Sequence, residues 1–184
     1  MTSNLDRLSA QWDERWPETP PIAFLLRELH PDRWVRFHSL PGSKRYAETE
    51  VETAEVLSRH HAVLDALGLS PRCFVILTRF ASEPWPDTEL PDEAHWRTID
   101  NEEYFEEPAL LHVSRMTYPS DAFDALLRAA ADWQVANVII GPEDFRWLYH
   151  PYDGGADVIA STPAERDRLR ADFADWLSPY PHGL

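Results

Sequence analysis

The sequence contains one cysteine and six glycines among 184 residues. A single cysteine excludes an internal disulfide, and the position of Cys73 inside the apolar run 73–77 predicts a small core residue. No H-E-x-x-H, C-x-x-C or regularly spaced acidic loop is present, and the adjacent His60 and His61 would diverge by about 100° on a helix. We therefore expect neither a metal site nor a cofactor.

Basic residues are also scarce: 17 stand against 32 acidic ones, and the formal net charge is −15. A field of this sign repels phosphate backbones, so we expect no nucleic-acid partner. No apolar run approaches the ~18 residues of a membrane span, and residues 1–6 lack the basic and apolar regions of a signal peptide. We expect a cytoplasmic protein without a membrane partner, while its oligomeric state is left open.

What is abundant is apolar and aromatic residues, at 43% and 12% of the chain, which excludes a disordered protein. Helical spacing and capping residues predict five helices, and alternating or continuous apolar runs predict seven strands. The expected fold is a single α+β domain over residues 1–184, with a mainly antiparallel or mixed sheet and about five helices packed on it. The helices are expected at 5–16, 22–30 and 47–67 and after Ser120 and Thr162; the strands at 34–38, 72–80, 95–99, 109–118, 135–140, 145–149 and 156–160.

The first candidate for chemistry is the segment 146–157, whose Asp153-Gly154-Gly155 predicts a tight hairpin turn. Here His150 beside Asp153 or Asp157 could act as a base with an orienting carboxylate, which makes these three the candidate catalytic residues. The alternative is structural. Asp153 would then accept hydrogen bonds within the turn, and Asp157 would pair with Arg146 across the hairpin.

The second candidate is the segment 36–46, which concentrates cations in an otherwise acidic chain. Its basic side chains, together with Tyr152 of the hairpin, are the candidate substrate-binding residues, and a following helix N-terminus would favour an anion. It is not a P-loop, because the G-x-x-x-x-G-K-[ST] spacing is absent. The alternative is a charged loop that pairs with the acidic residues of segment 83–107. The candidate residues of this segment are Arg36, His38, Lys44 and Arg45.

Segment 83–107 holds ten carboxylates against one basic residue, Arg97. Its prolines Pro84, Pro86 and Pro91 disfavour a helix, so we expect a surface excursion with a short strand at 95–99. Clustered charge of one sign selects and steers partners, which makes a basic protein the expected partner. The alternative is a solvated loop that contributes only solubility.

The hairpin also carries a resemblance. Residues 148–160 read Leu-Tyr-His-Pro-Tyr-Asp-Gly-Gly-Ala-Asp-Val-Ile-Ala, and Asp175-Trp176-Leu177 follow on the last helix. This resembles an uncharacterised bacterial family, a domain of unknown function, whose members share a C-terminal Tyr-Asp-(short turn)-Gly-x-Asp-Val-Ile segment. Typical members have a turn one residue longer that carries an arginine, where this chain has Gly154-Gly155. The resemblance implies a bacterial origin and a shared fold, and it assigns no catalytic residues.

Two main functions follow from these observations, with a small-ligand binding domain that uses the aromatic hairpin as a third possibility, and the sequence leaves open whether the protein is an enzyme. The first is a non-enzymatic protein-interaction module that uses an acidic surface, a class that includes immunity proteins for toxins. The second is a small hydrolase or transferase acting on an anionic substrate. It requires segments 36–46 and 146–157 to converge, with His38 and His150 on the same face of the sheet.

Overall fold

A computed structural model describes residues 4–82 and 90–178 of the chain. Within these residues the chain forms five α-helices, two single 3-10 turns and seven strands. The helices are α1 Asn4–Arg15, α2 Ala23–Leu29, α3 Glu50–Ala66, α4 Asp121–Ala131 and α5 Pro163–Asp172, and the 3-10 turns are Pro41–Ser43 and Ala174–Trp176. The strands are β1 Trp34–His38, β2 Arg72–Arg79, β3 Ala94–Ile99, β4 Ala109–Thr117, β5 Ile139–Pro142, β6 Leu148–Tyr152 and β7 Gly155–Ile159.

The seven strands form one sheet in the order β1-β7-β6-β5-β2-β4-β3, and every neighbouring pair is antiparallel. This confirms the α+β class and the mainly antiparallel sheet. Because β1 pairs with β7, the first strand in sequence lies beside the last, which brings two distant segments together. None of the described helices is long and apolar enough to cross a bilayer.

Both faces of the sheet are covered by helices. On the face that we call the α1 face, alternate strand residues such as Phe74, Ile76 and Leu148 pack against Trp12 and Trp16. On the opposite face, the α3 face, the other residues of the same strands form a larger core with α3, α4 and α5. The seven-stranded sheet therefore separates two cores. Because side chains alternate along each strand, successive residues of a strand belong to opposite cores.

The predicted helix caps at Ser120 and Thr162 are confirmed, and Thr49 caps α3 in the same way, whereas α2 begins without a side-chain cap. The hydroxyls of Thr49, Ser120 and Thr162 each accept a hydrogen bond from the backbone N–H three residues later. One detail differs from a capping box: the Glu165 carboxylate accepts from the backbone N–H of Ser161 at 2.8 Å rather than from Thr162. The glutamate thus satisfies a donor one residue before the cap.

The strand expected at 135–140 is displaced toward the C-terminus, and Gly141-Pro142, a pair typical of turns, lies inside β5. Left-handed backbone at Asn137 and Phe145 interrupts extended structure on both sides of β5. Gly141 pairs with Phe74 in the ladder, where a Cβ would lie 3.0 Å from the Phe145 ring. The strand expected at 145–149 likewise begins later, at Leu148.

Candidate functional site

The two candidate segments meet in the structure, because β1 pairs with β7 and β7 pairs with β6. Arg36 lies directly opposite Asp157, which in turn lies opposite His150 on β6. Residues directly opposite each other point to the same face of a sheet. His38 and His150 therefore share the α1 face, which is one condition for a joint site.

Arg36 and Asp157 form a nearly buried ion pair at the centre of this area. Arg36 Nε and one terminal nitrogen donate to the two carboxylate oxygens at 2.7 and 2.9 Å, and the side chains are 13% and 6% exposed. The guanidinium carbon lies 5.4 Å from the Trp34 ring centroid and 5.2 Å from that of Tyr152. Planar bidentate pairing between aromatic rings fixes the guanidinium in one orientation.

The electrostatics of this pair follow from its burial. Burial by itself would lower the pKa of Arg36, but the hydrogen bonds and charges of Asp157 and Tyr152 together outweigh it, and the pKa is raised. Burial raises the pKa of Tyr152, and the Asp157 charge adds to that effect. Arg36 and Asp157 therefore neutralise each other, and the Tyr152 hydroxyl stays protonated.

His150 has the chemistry of a base but lacks the predicted carboxylate partner. Its Nδ1 lies 2.8 Å from the Val138 carbonyl oxygen. A carbonyl only accepts, so Nδ1 carries the proton and Nε2 keeps a lone pair. Burial lowers the pKa of His150, so the ring is neutral at pH 7. Val138, rather than Asp153 or Asp157, therefore orients this imidazole.

Asp153 is held at the tip of the β6–β7 hairpin by the second candidate segment. Its carboxylate accepts from Arg45 Nε and from the Tyr46 hydroxyl, the latter at 2.7 Å. The Asp153 side chain is 2% exposed, whereas that of Arg45 is 62% exposed. Asp153 is therefore a buried anchor for the loop, and its role is structural, although its partners come from segment 36–46 rather than from the turn.

Both turn glycines are required by the backbone. Gly154 has a φ of +97°, a conformation that other residues rarely adopt. Gly155 pairs with His38, and a Cβ on Gly155 would overlap the carbonyl oxygen of Phe37 on β1. The close approach of β1 to this hairpin thus depends on the second glycine.

Lys44 turns away from the hairpin toward α3. Its ammonium lies 2.6 Å from Glu52 and 3.2 Å from Glu48. The expected anion site at the start of this helix therefore already has its own carboxylates, and α3 begins later, at Glu50. The alternative pairing with segment 83–107 is not seen among the described residues, because Arg36, Lys44 and Arg45 each pair elsewhere.

The alternative pairing of Asp157 with Arg146 is not formed either. Arg146 lies before β6, and its guanidinium contacts Asp144 at 3.4 Å and the Gly68 carbonyl at 3.3 Å. Asp157 is already engaged by both nitrogens of Arg36. The edge strand β1, which local sequence does not place beside β7, supplies the partner instead.

The buried histidine of α3 is His60, although the apolar spacing points to His61. His60 is 2% exposed; its Nδ1 lies 2.6 Å from the Tyr149 hydroxyl and its Nε2 3.4 Å from Ser39 Oγ. In the described chain the Tyr149 hydroxyl has no other acceptor, so it donates to Nδ1 and Nε2–H faces Ser39. His60 therefore does not activate Ser39 as a nucleophile, and burial lowers the pKa of His60 to about 4.

His61 belongs to a polar chain that sequence analysis does not identify. Its Nε2 lies 2.8 Å from Asp124, and its Nδ1 lies 3.0 Å from the Tyr118 hydroxyl. That hydroxyl donates to Asp65 at 2.8 Å. This hydrogen-bond network links α3 to α4 and to the end of β4. The only local sign of it is that Asp65 follows His61 by one helical turn.

Segment 83–107 divides into buried and exposed parts, and its residues 83–89 lie outside the described chain. Glu93 is half-buried on the α3 face, where Arg79 donates to both of its oxygens at 2.6 Å. The connection between β3 and β4, residues 100–107, is different, and we call it the acidic lobe. Phe105 anchors the lobe, with ring centroids 5.8 Å from Phe24 and 5.1 Å from Phe80. The lobe carries Asp100, Glu102, Glu103, Glu106 and Glu107 and no basic residue.

Within residues 4–82 and 90–178, no lysine, arginine or histidine pairs with a carboxylate of the acidic lobe. Glu107 accepts a hydrogen bond from Ser82, and Asp100, Glu102, Glu103 and Glu106 are exposed. The described chain also contains no group of three or more His, Cys, Asp or Glu residues arranged to hold a metal ion. The lobe is therefore a surface of one charge sign, and Phe105 and the Ser82–Glu107 hydrogen bonds attach it to the rest of the described chain.

Comparison with known families agrees with the resemblance of the hairpin segment. A family model described as a domain of unknown function, DUF3885, matches residues 22–181. The chain belongs to the DUF3885 family. It has no significant match among curated proteins or solved structures.

Family membership assigns no activity to the hairpin. In this DUF3885 domain the shared segment forms β6, the turn and β7, so its Tyr152, Asp153 and Asp157 occupy fixed places in the sheet. Gly154 lies against Arg45, whose Cγ would be 3.3 Å from a Cβ at position 154. The Arg45 side chain, from the loop between β1 and α3, therefore lies beside this turn.

Proposed function

We propose that this DUF3885 protein is a non-enzymatic interaction module that binds a basic protein partner through the acidic lobe. The observation that carries the proposal is the contrast in charge use. The charged groups of the candidate catalytic area are paired inside the fold, whereas four lobe carboxylates are exposed and unpaired in the described chain. Charge left unpaired at a surface is available to a partner.

The anchoring of the lobe supports a recognition role over mere solubility. A loop that serves only solubility needs no fixed position, but Phe105 packs edge-on against both Phe24 and Phe80. The lobe also follows β3, an edge strand of the sheet that has no second strand partner among the described residues. A charged surface held in one orientation raises association rates and discriminates between partners.

The test is to isolate partners from the native host with the wild-type protein and then measure affinity for each purified partner. We expect affinity to fall as salt rises, because exposed charges are screened over a distance of about 10 Å at 0.1 M ionic strength. Reversal of the four exposed lobe charges should abolish binding. The variant combines Asp100→Lys, Glu102→Lys, Glu103→Lys and Glu106→Lys.

A matched control reverses four exposed acids elsewhere and changes the net charge by the same amount. If the control weakens binding as much as the lobe variant, net charge rather than the lobe determines affinity, and the proposal is wrong. It is equally wrong if every partner still binds the lobe variant. The control combines Glu14→Lys, Glu18→Lys, Asp32→Lys and Asp132→Lys.

A small hydrolase or transferase for an anionic substrate is the second candidate, and one observation favours it. His38 and His150 share the α1 face with Arg36, and His150 Nε2 carries a lone pair. This function requires the Arg36–Asp157 pair to open, because the guanidinium is otherwise occupied by the carboxylate.

Its test uses inorganic phosphate and acetate as probes, with the imidazole resonances of His38 and His150 followed by NMR. A saturable shift of both resonances that is lost in Arg36→Gln would support an anion site. Unchanged resonances up to high probe concentration would remove this candidate.

A further inference from the structure

A cavity of about 320 Å³ lies on the α1 face, at the end of the β3–β4 pair opposite the acidic lobe. Such a volume is at the lower end of the range for small-molecule sites, roughly 300 to 1,000 Å³, and suits a ligand of amino-acid size. The wall is mainly apolar, from α1 and strands β2 to β4. Its apolar residues are Leu5, Leu8, Phe74, Ala94 and Val113.

Two charged residues of opposite sign, Arg115 and Asp92, also line this cavity. Both are exposed, and within residues 4–82 and 90–178 neither forms an ion pair. Arg115 lies opposite Phe74 in the β2–β4 ladder, and its guanidinium carbon is 5.0 Å from the Phe74 ring centroid. A guanidinium supported by a ring keeps its in-plane N–H groups free for a carboxylate.

We propose that this cavity binds a free α-amino acid with an apolar side chain. Arg115 holds the carboxylate, Asp92 holds the ammonium group, and the apolar wall takes up the side chain. Arg115 and Asp92 line the same mainly apolar cavity and do not pair with each other. They match the two charges of an amino-acid zwitterion, and the apolar wall matches its side chain. Ser114 is not a competing polar partner, because its hydroxyl already donates to the Pro91 carbonyl.

Calorimetric titration of the whole protein with L-leucine and L-phenylalanine tests the proposal. Two analogues separate the contributions: 4-methylpentanoate lacks the ammonium group, and 3-methylbutylamine lacks the carboxylate. We expect saturable binding of at least one of the amino acids and roughly tenfold or greater weakening for each analogue, since each loses a hydrogen bond to a charged group. Glycine, which lacks the apolar body, should not bind measurably.

Three variants locate the site. Arg115→Gln and Asp92→Asn should each weaken binding of the preferred amino acid by roughly tenfold or more, and Ala94→Phe should abolish it by filling the cavity. Arg128→Gln is the matched control, because Arg128 is an exposed arginine of α4 on the opposite face of the sheet. Circular dichroism of each variant confirms that it is folded before titration.

Three outcomes would overturn the proposal: no binding of either amino acid, equal binding of the carboxylate-only analogue, or binding that survives Ala94→Phe. The variant with four reversed lobe charges should bind the amino acid as wild type does. The lobe and the cavity lie at opposite ends of the β3–β4 pair, so failure of either proposal leaves the other standing.

Discussion

Two regions at opposite edges of the sheet use charge in opposite ways. Around β1 and the β6–β7 hairpin, Arg36 and Arg45 pair with Asp157 and Asp153, whose side chains are at most 6% exposed. In the acidic lobe, which connects β3 to β4, the exposed carboxylates form no ion pair with any described residue. A high density of charged residues in the sequence therefore indicates a candidate site only where those residues do not form ion pairs inside the fold.

The physical reason is desolvation. A carboxylate that leaves water needs a partner, so the hairpin charges are structural by necessity. Lobe carboxylates stay hydrated and need none. We therefore expect substitutions of the hairpin charges to lower the free energy of unfolding strongly, and substitutions of the lobe charges to change it little. For partner affinity we expect the reverse, with the larger loss at the lobe.

The largest expected effect comes from breaking the Arg36–Asp157 pair. Asp157→Asn should lower the free energy of unfolding by about 3 to 5 kcal/mol, because it leaves a nearly buried guanidinium without its counter-charge. The double variant Arg36→Met with Asp157→Leu should be less destabilised than this single variant. Urea denaturation at pH 7 measures both.

Lys44→Met is the control for that comparison, because Lys44 pairs with Glu48 and Glu52 where its side chain is 35% exposed and remains in contact with water. We expect its urea midpoint to match that of the wild type. If Asp157→Asn costs no more than Lys44→Met, the two regions do not differ in the way described.

The second prediction concerns the pH dependence contributed by His60. Its pKa is lowered from 6.5 to about 4, chiefly by burial, so the native state stays neutral where the unfolded chain gains a proton. This contribution to stability is complete above pH 6.5 and is lost as the pH falls from 6.5 to 4. At about 1.4 kcal/mol for each pKa unit, the loss is on the order of 3 kcal/mol.

Unfolding free energies of wild type and His60→Asn, measured from pH 8 to pH 4, isolate this contribution. The destabilisation of the variant relative to wild type should shrink as the pH falls through this window. A constant difference between the two proteins would show that His60 is not buried in its neutral form.

The third prediction concerns the backbone contact that brings β1 to the hairpin. Gly155→Ala places a methyl group against the Phe37 carbonyl, and we expect a loss of about 2 kcal/mol or more. Gly42→Ala is the control: its φ is +66°, but no atom lies within 4 Å of the added Cβ, so only the backbone penalty of about 1 kcal/mol applies. Thermal unfolding should rank the two variants in this order, and the reverse ranking would contradict the close approach of β1.

The smallest effect on stability is expected at the lobe. Reversal of its four exposed charges should change the free energy of unfolding by no more than about 0.5 kcal/mol, because these side chains are hydrated in both states. The same variant should lose partner binding. A large loss of stability would mean that the lobe charges make internal contacts, and the contrast between the two regions would fail.

Much of the fold was predictable from sequence because its determinants are local. The Thr162 cap, the Asp-Gly-Gly turn and the apolar run of β2 each depend on residues close together in the chain. The displaced β5 shows the limit of this reasoning. Left-handed backbone at Asn137 and Phe145 sets its bounds, and although asparagine adopts that conformation more readily than most residues, nothing in the sequence indicates it for a phenylalanine.

The candidate site shows the same limit more sharply. Sequence alone identified the two segments that hold its charged residues and the hairpin that orders one of them. It also predicted which residues of β1 share a face, because side chains alternate along a strand. Only the tertiary structure decided that β1 pairs with β7, and this pairing gave Asp157 to Arg36 rather than to Arg146 or His150. The partner of a buried charge is set by contacts between residues distant in sequence, and these exist only once the chain has folded.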